Sequence, residues 1–138
     1  MGLDMYLKKK TYIFENENKK IKVVGCDVKN ERISEITERV GYWRKFNALH
    51  NWFVKNCQDG VDDCRECYIS KNDQELLIKT LEEISEANKK SRTKGITKAQ
   101  KLLPTQDGFF FGGTEYDDWY FQYIEETLSI FSALRWLI

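Results

Sequence analysis

Two stretches of the chain carry side chains that could handle a ligand. The first, residues 41–53, contains Tyr42, Trp43, Arg44, Asn47, His50 and Asn51. An aromatic ring offers a flat face to a base or sugar, a guanidinium offers a fork of donors to phosphate, and an asparagine amide both donates and accepts hydrogen bonds. A nucleotide-like ligand needs that set. A helix beginning at residue 44 would put Arg44, Asn47 and Asn51 on one side, with His50 between them and the Phe46/Phe53 face. The second stretch, residues 108–121, reads Gly-Phe-Phe-Phe-Gly-Gly-Thr-Glu-Tyr-Asp-Asp-Trp-Tyr-Phe and adds Phe110, Gly112, Gly113, Thr114, Glu115 and Tyr116. Its paired glycines allow close backbone approach, and the helix start that follows turns N–H groups toward an anion. Each stretch also has a plain reading: core rings ringed by solvated polar residues, and a glycine turn joining a strand to a helix.

His50 is the only histidine. As a general base it would need an acid partner and a reachable nucleophile or water, and spacing identifies neither. A structural, hydrogen-bonded imidazole is the simpler expectation. Cys57, Cys64 and Cys67 include one C-x-x-C pair. With His50 they could make a four-ligand zinc site, but a second paired motif is missing. A redox C-x-x-C opens a helix after a strand, whereas this pair leads into Tyr68-Ile69, so ordinary thiols are expected. Asp59, Asp62 and Asp63 lack the alternating ligands and terminal Glu of a calcium loop. Glu115, Asp117 and Asp118 suit a helix N-terminus. There is no phosphate loop of the Walker type, no nucleophile elbow and no H-E-x-x-H pair. The sequence therefore specifies no catalytic set, no bound metal and no cofactor.

Elements must position these residues. Leu3, Met5 and Leu7 alternate as in a half-buried strand, and residues 21–28 read as its hairpin partner, with Gly25 at a bulge. Residues 32–43 are ambiguous in period and are read as a strand ending near Trp43. Phe46, Leu49, Phe53 and Cys57 then have helical spacing over residues 44–56. A turn follows at residues 58–60, then a short strand at 64–69. Ser70 with Asp73 starts a helix to about Asn88, with Leu77, Leu81 and Ile84 inside. Residues 88–95 read as a mobile basic loop, Thr97 caps a short helix, and Pro104 discourages its continuation. Thr114, with Asp117 as partner, caps a last helix over residues 116–135 that carries Phe121, Ile124, Leu128 and Phe131 on one stripe. This order gives an α+β protein, a small antiparallel sheet with helices packed on one face, in a single domain over residues 1–138.

The balance of 22 basic and 22 acidic residues argues against a nucleic-acid polymer as partner, which needs a basic footprint. No apolar run spans a bilayer, and the lysines at 8–10 follow too short an apolar start for a leader, so a cytoplasmic setting without membrane contact is expected. Zero net charge and the greasy turns near Leu134 favour a homo-oligomer.

The runs Met-Gly-Leu-Asp-Met-Tyr-Leu at residues 1–7, Val-Gly-Tyr-Trp-Arg-Lys at 40–45, His-Asn-Trp-Phe at 50–53, Leu-Pro-Thr-Gln at 103–106 and Gly-Phe-Phe-Phe-Gly-Gly-Thr-Glu-Tyr-Asp at 108–117 resemble a group of small proteins encoded mostly by bacteriophages and prophages. The resemblance covers nearly the whole chain. It implies a viral origin and a host-cytoplasmic setting, and it carries no reaction. Cys67 departs from the group, where Tyr is the usual residue, which weakens the zinc reading. In size and class the chain is also similar to phage sponges that sequester nucleotide immune signals, such as the ADP-ribose products of Thoeris defence; this is analogy, without a shared motif. The leading expectation is a non-enzymatic protein that sequesters a small nucleotide-derived ligand between the two stretches. The alternatives are a phosphodiesterase or hydrolase using His50 with Glu115 or Asp117, and an inhibitor that docks on a host protein through exposed rings.

Overall fold

The computed structural model describes residues 4–14, 23–60, 66–106 and 114–135. Its elements are β1 (Asp4–Tyr12), β2 (Glu35–Arg44), α1 (Asn47–Cys57), α2 (Lys71–Lys90), α3 (Arg92–Leu102) and α4 (Asp118–Arg135), with one 3-10 turn at Asn30–Arg32. β1 and β2 form a two-stranded antiparallel sheet, so the expected α+β class is found. The chain divides into two compact units, Tyr6–Tyr42 and Met1–Met5 with Trp43–Ile138.

In the first unit β1 pairs with β2, not with residues 21–28. Residues 23–29 form no strand, and residues 21–22 lie outside the described residues. Gly25 has φ 82° and turns the chain rather than bulging a strand. The β-branched Ile36, Thr37 and Val40 supply the strand propensity instead. Just past β1, Ile13 N–H donates to Ser34 O at 2.9 Å, extending the pairing.

The second unit is helical. α1 starts three residues later than the sequence pattern implied. Arg44 still belongs to β2, and Lys45 takes the left-handed φ of 57°, which breaks the chain direction before Phe46 and Asn47. α1 closes through Gly60, whose N–H reaches Val54 O at 2.8 Å. Of the strand expected at residues 64–69, positions 64 and 65 lie outside the described residues and 66–69 form none. Ser70 caps α2 by accepting from Asp73 N at 3.1 Å, as its sequence pattern implied. Leu77, Leu81 and Ile84 are fully buried, as are Leu49 of α1 and Ile124 and Phe131 of α4, the helix that packs on α2.

The loop expected at residues 88–95 is absent. Ser91 alone separates α2 from α3. Its N–H closes α2 on Ala87 O, and its side chain accepts from Lys94 N at 3.2 Å to open α3, so one extended residue serves both helix ends. Thr97 therefore lies inside α3, not at its cap. Gly95, on α3, is the point of closest approach to α2: a Cβ there would stand 2.9 Å from both Cα and Cβ of Asn88. Arg92 joins α3 to α4, with Nη2 2.9 Å from Asp118 Oδ1 and the guanidinium carbon 4.4 Å from the Phe121 ring centre. Gly95→Ala should force these helices apart and lower unfolding free energy by about 1–3 kcal/mol, read from the urea midpoint, despite alanine's better helix propensity.

Candidate functional site

In the helical unit the early stretch meets the described end of the late one at Phe46 and Tyr120, and α4 covers it with further rings. Trp43 is 2% exposed; its indole N–H donates to Thr127 Oγ1 at 2.8 Å and its ring stacks on Phe131 at 6.2 Å. Phe46 stacks on Tyr123 at 5.1 Å and meets Tyr120 edge-on at 5.9 Å. Thr127 completes its own hydrogen bonding by donating to Tyr123 O at 2.6 Å. Trp43 thus has no face to give a ligand, contrary to the stacking role expected of it.

The same convergence runs through residues 103–106, held extended by Pro104. Asn47, 2% exposed at the first position of α1, accepts from Gln106 N at 2.8 Å. Tyr120 Oη donates to Leu103 O at 2.6 Å, Thr105 N donates to Tyr116 Oη at 3.0 Å, and Thr105 Oγ1 donates to Thr114 O at 2.8 Å. Asn47 is therefore an anchor for the backbone at 106. Thr114 contributes its carbonyl here, and the cap of α4 is Asp117, whose Oδ1 accepts from Tyr120 N at 3.1 Å. Asp117 stands directly before the helix, whereas Thr114 lies three residues further out.

Of the remaining expected residues, Phe110, Gly112 and Gly113 lie outside the described residues. Their flanks, Gln106 and Thr114, are both tied down by the bonds just given. His50 and Asn51 are half-buried on α1, one helical turn beyond Asn47. Glu115 is exposed and Tyr116 half-buried. Arg44 and Lys45 are exposed immediately before α1. Phe46 at the N-cap offers no side-chain acceptor, and the first turn of α1 holds no acid, so the positive end of that helix faces two cations with no anion of its own. Tyr42 is exposed and belongs to the other unit, where its ring packs 5.1 Å from Tyr6.

Sequence reasoning missed Thr105, Gln106, Tyr120, Tyr123 and Thr127. Only Thr127 left a trace, as a polar residue on the apolar stripe of α4. A groove of about 360 Å³ runs along α2, lined by Glu75, Leu76, Ile78, Lys79 and Glu82. All five come from one helix, none is an expected site residue, and two carboxylates there oppose a phosphate. Among the described residues no three His, Cys, Asp or Glu side chains are placed to hold a metal ion, and no helix is long and apolar enough to cross a membrane. No protein-family model, no curated protein and no solved structure matches the chain.

Burial, and then Tyr116 beside it, push the Tyr120 phenol above its ordinary 10.0. Folded Tyr120 keeps its proton where an unfolded tyrosine has lost it, so the unfolded state binds fewer protons above pH 10 and stability falls as pH rises there. Tyr120→Phe should cost about 1 kcal/mol at neutral pH through the lost bond to Leu103. It should also flatten the loss of stability above pH 10, measured by urea unfolding across pH 8–11.

Proposed function

We propose that the protein is a non-enzymatic binding protein that sequesters a small nucleotide-derived ligand, ADP-ribose-like or a cyclic nucleotide, at the start of α1. The observation that carries this reading is the Asn47–Gln106 bond beside an acid-free helix start preceded by Arg44 and Lys45. It brings an anion-favouring helix end and the flanks of the glycine-rich stretch to one place. In this reading Arg44 meets phosphate, His50 and Asn51 give directional contacts, and Tyr116 supplies ring surface. Trp43 and Asn47 hold the frame instead of touching the ligand. Slow release is all that sequestration needs. The resemblance to phage-encoded proteins supplies the setting, the host cytoplasm, the analogy to sponges supplies the role, counter-defence, and a homo-oligomer is the working form.

A second reading rests on the other unit. Tyr6 and Tyr42 are both more than half exposed, and Arg39 lies 5.0 Å from the Tyr6 ring centre. Exposed rings with an arginine match the chemistry of protein-contact hot spots, which favours a docking inhibitor of a host protein.

Freshly purified protein should show a raised 260/280 absorbance ratio, and heat should release an intact nucleotide identifiable by mass spectrometry. Arg44→Ala should weaken binding of that nucleotide roughly tenfold or more without changing the melting temperature. Turnover of labelled ADP-ribose or cyclic AMP would instead make it a hydrolase. No co-purifying nucleotide, no thermal shift with either compound, and capture of one host protein lost in Tyr42→Ala would move the assignment to the docking reading.

A further inference from the structure

Independently of that reading, α1 ends on a thiol cluster. Cys57 is its last residue, and Cys67 lies on the segment that leads to the Ser70 cap of α2. Both are half-buried free cysteines. Cys57 Sγ donates to Asp73 Oδ2 at 3.9 Å, and Gln58, the next residue, donates through Nε2 to Cys67 Sγ at 3.7 Å. Gln58 follows Cys57 directly in the chain, so its contact sets the Cys67 sulfur beside the end of α1. Gln58 Oε1 is buried with no partner among the described residues, so the amide is held there by the sulfur contact on its other side. Cys67 sits outside regular secondary structure, so its backbone can yield to the geometry that a sulfur–sulfur bond requires.

We propose that Cys57 and Cys67 are a thiol-modification site, forming a reversible disulfide that staples the end of α1 to the segment opening α2 when a small disulfide oxidant such as oxidised glutathione is present. The C-x-x-C spacing draws attention to Cys64 and Cys67; Cys64 lies outside the described residues, and the Gln58 contact sets Cys67 beside the end of α1.

The chemistry is thiol–disulfide exchange. Burial, then the neighbouring Cys67 and Asp73, push the Cys57 thiol up to about 12, so it stays protonated near neutrality. Cys67 is then the first nucleophile. Its thiolate attacks one sulfur of oxidised glutathione, forming a mixed disulfide and releasing glutathione thiolate, which takes up the proton Cys67 lost. Cys57 next attacks the Cys67 sulfur and displaces the second glutathione, which leaves with the proton from Cys57. Two protein thiols lose two electrons, and one oxidised glutathione becomes two reduced molecules. Where glutathione is mostly reduced, the dithiol is the resting form.

The test uses the full chain carrying Cys26→Ser, which removes the exposed competing thiol. The protein is equilibrated in glutathione buffers from reducing to oxidising, quenched in acid, alkylated and mapped by mass spectrometry. The expected result is a Cys57–Cys67 linked peptide as the main oxidised species. A melting temperature higher by on the order of 5 °C or more should accompany it, because a short loop is closed, and dithiothreitol should reverse it. Cys64→Ser should keep both signals and Cys67→Ser should lose both. A Cys64–Cys67 link, glutathione adducts alone, or a shift that survives in Cys67→Ser overturns the proposal. The mapping is done with both cysteines present, so it does not depend on a variant folding.

Discussion

A buried indole N–H must find an acceptor, and in this protein that need fixes α4 against the chain that leaves β2. Trp43 is removed from water, and an unpaired N–H there would cost about 1–3 kcal/mol. Thr127 answers it from 84 positions away and still satisfies its own hydroxyl on Tyr123 O. The bond can form only when Trp43 and the middle of α4 share one register. That register in turn sets Phe131 against Trp43 and Tyr123 against Phe46. Apolar rings alone would tolerate a slide along the helix; a directional bond inside the stack does not.

The same logic repeats at residues 103–106. A segment that follows a helix and carries a proline has backbone groups with no helical partner. Tyr120 takes Leu103 O, Tyr116 takes Thr105 N–H and Asn47 takes Gln106 N–H. The two tyrosines are amphipathic, with a body that packs and a polar tip that reaches the turn, and Asn47 supplies a buried amide. The high aromatic content is thus explained largely by structure. The rings are turned inward, and Arg44, His50 and Asn51 are the polar groups left at the rim, which is why the proposed contacts shift from Trp43 toward the charged start of α1.

Legibility in the sequence followed the range of the interaction. α2 was legible because its signals are local: Ser70 and Asp73 three apart, then Leu77, Leu81 and Ile84 at helical spacing. The stripe of α4 was legible for the same reason. The partner of β1 was not, because residues 21–28 and β2 both carry strand formers and only pairing chooses between them. The α2–α3 hairpin was hidden by a polar, basic run that resembles a loop; Ser91 can cap both ways, and Gly95 acts as a contact point instead of a breaker. Arg44 was misplaced onto α1 because periodicity is blind to a single left-handed residue such as Lys45. At the candidate site, the rings of both stretches are plain in the sequence, and Phe46 does meet Tyr120. The roles of Asn47 and Thr127 were not, since each depends on a partner more than fifty residues away.

The two ends of α1 have opposite chemistry. Its start has exposed cations, no acid and the positive pole of the helix; its end has two thiols and the Asp73 carboxylate, where ionisation of Cys57 is suppressed. Eleven residues make a rod of about 16 Å, too far for direct contact and beyond the screening length of about 8–10 Å for exposed charges in physiological salt. Charge at one end therefore has little direct hold on the other. What joins them is packing: Leu49 and Phe53 are buried between the ends, and Phe53 lies 6.4 Å from Phe131, the ring that also stacks on Trp43. The proposed staple at the thiol end would therefore bear on the cationic end only through that packing and not through an altered field.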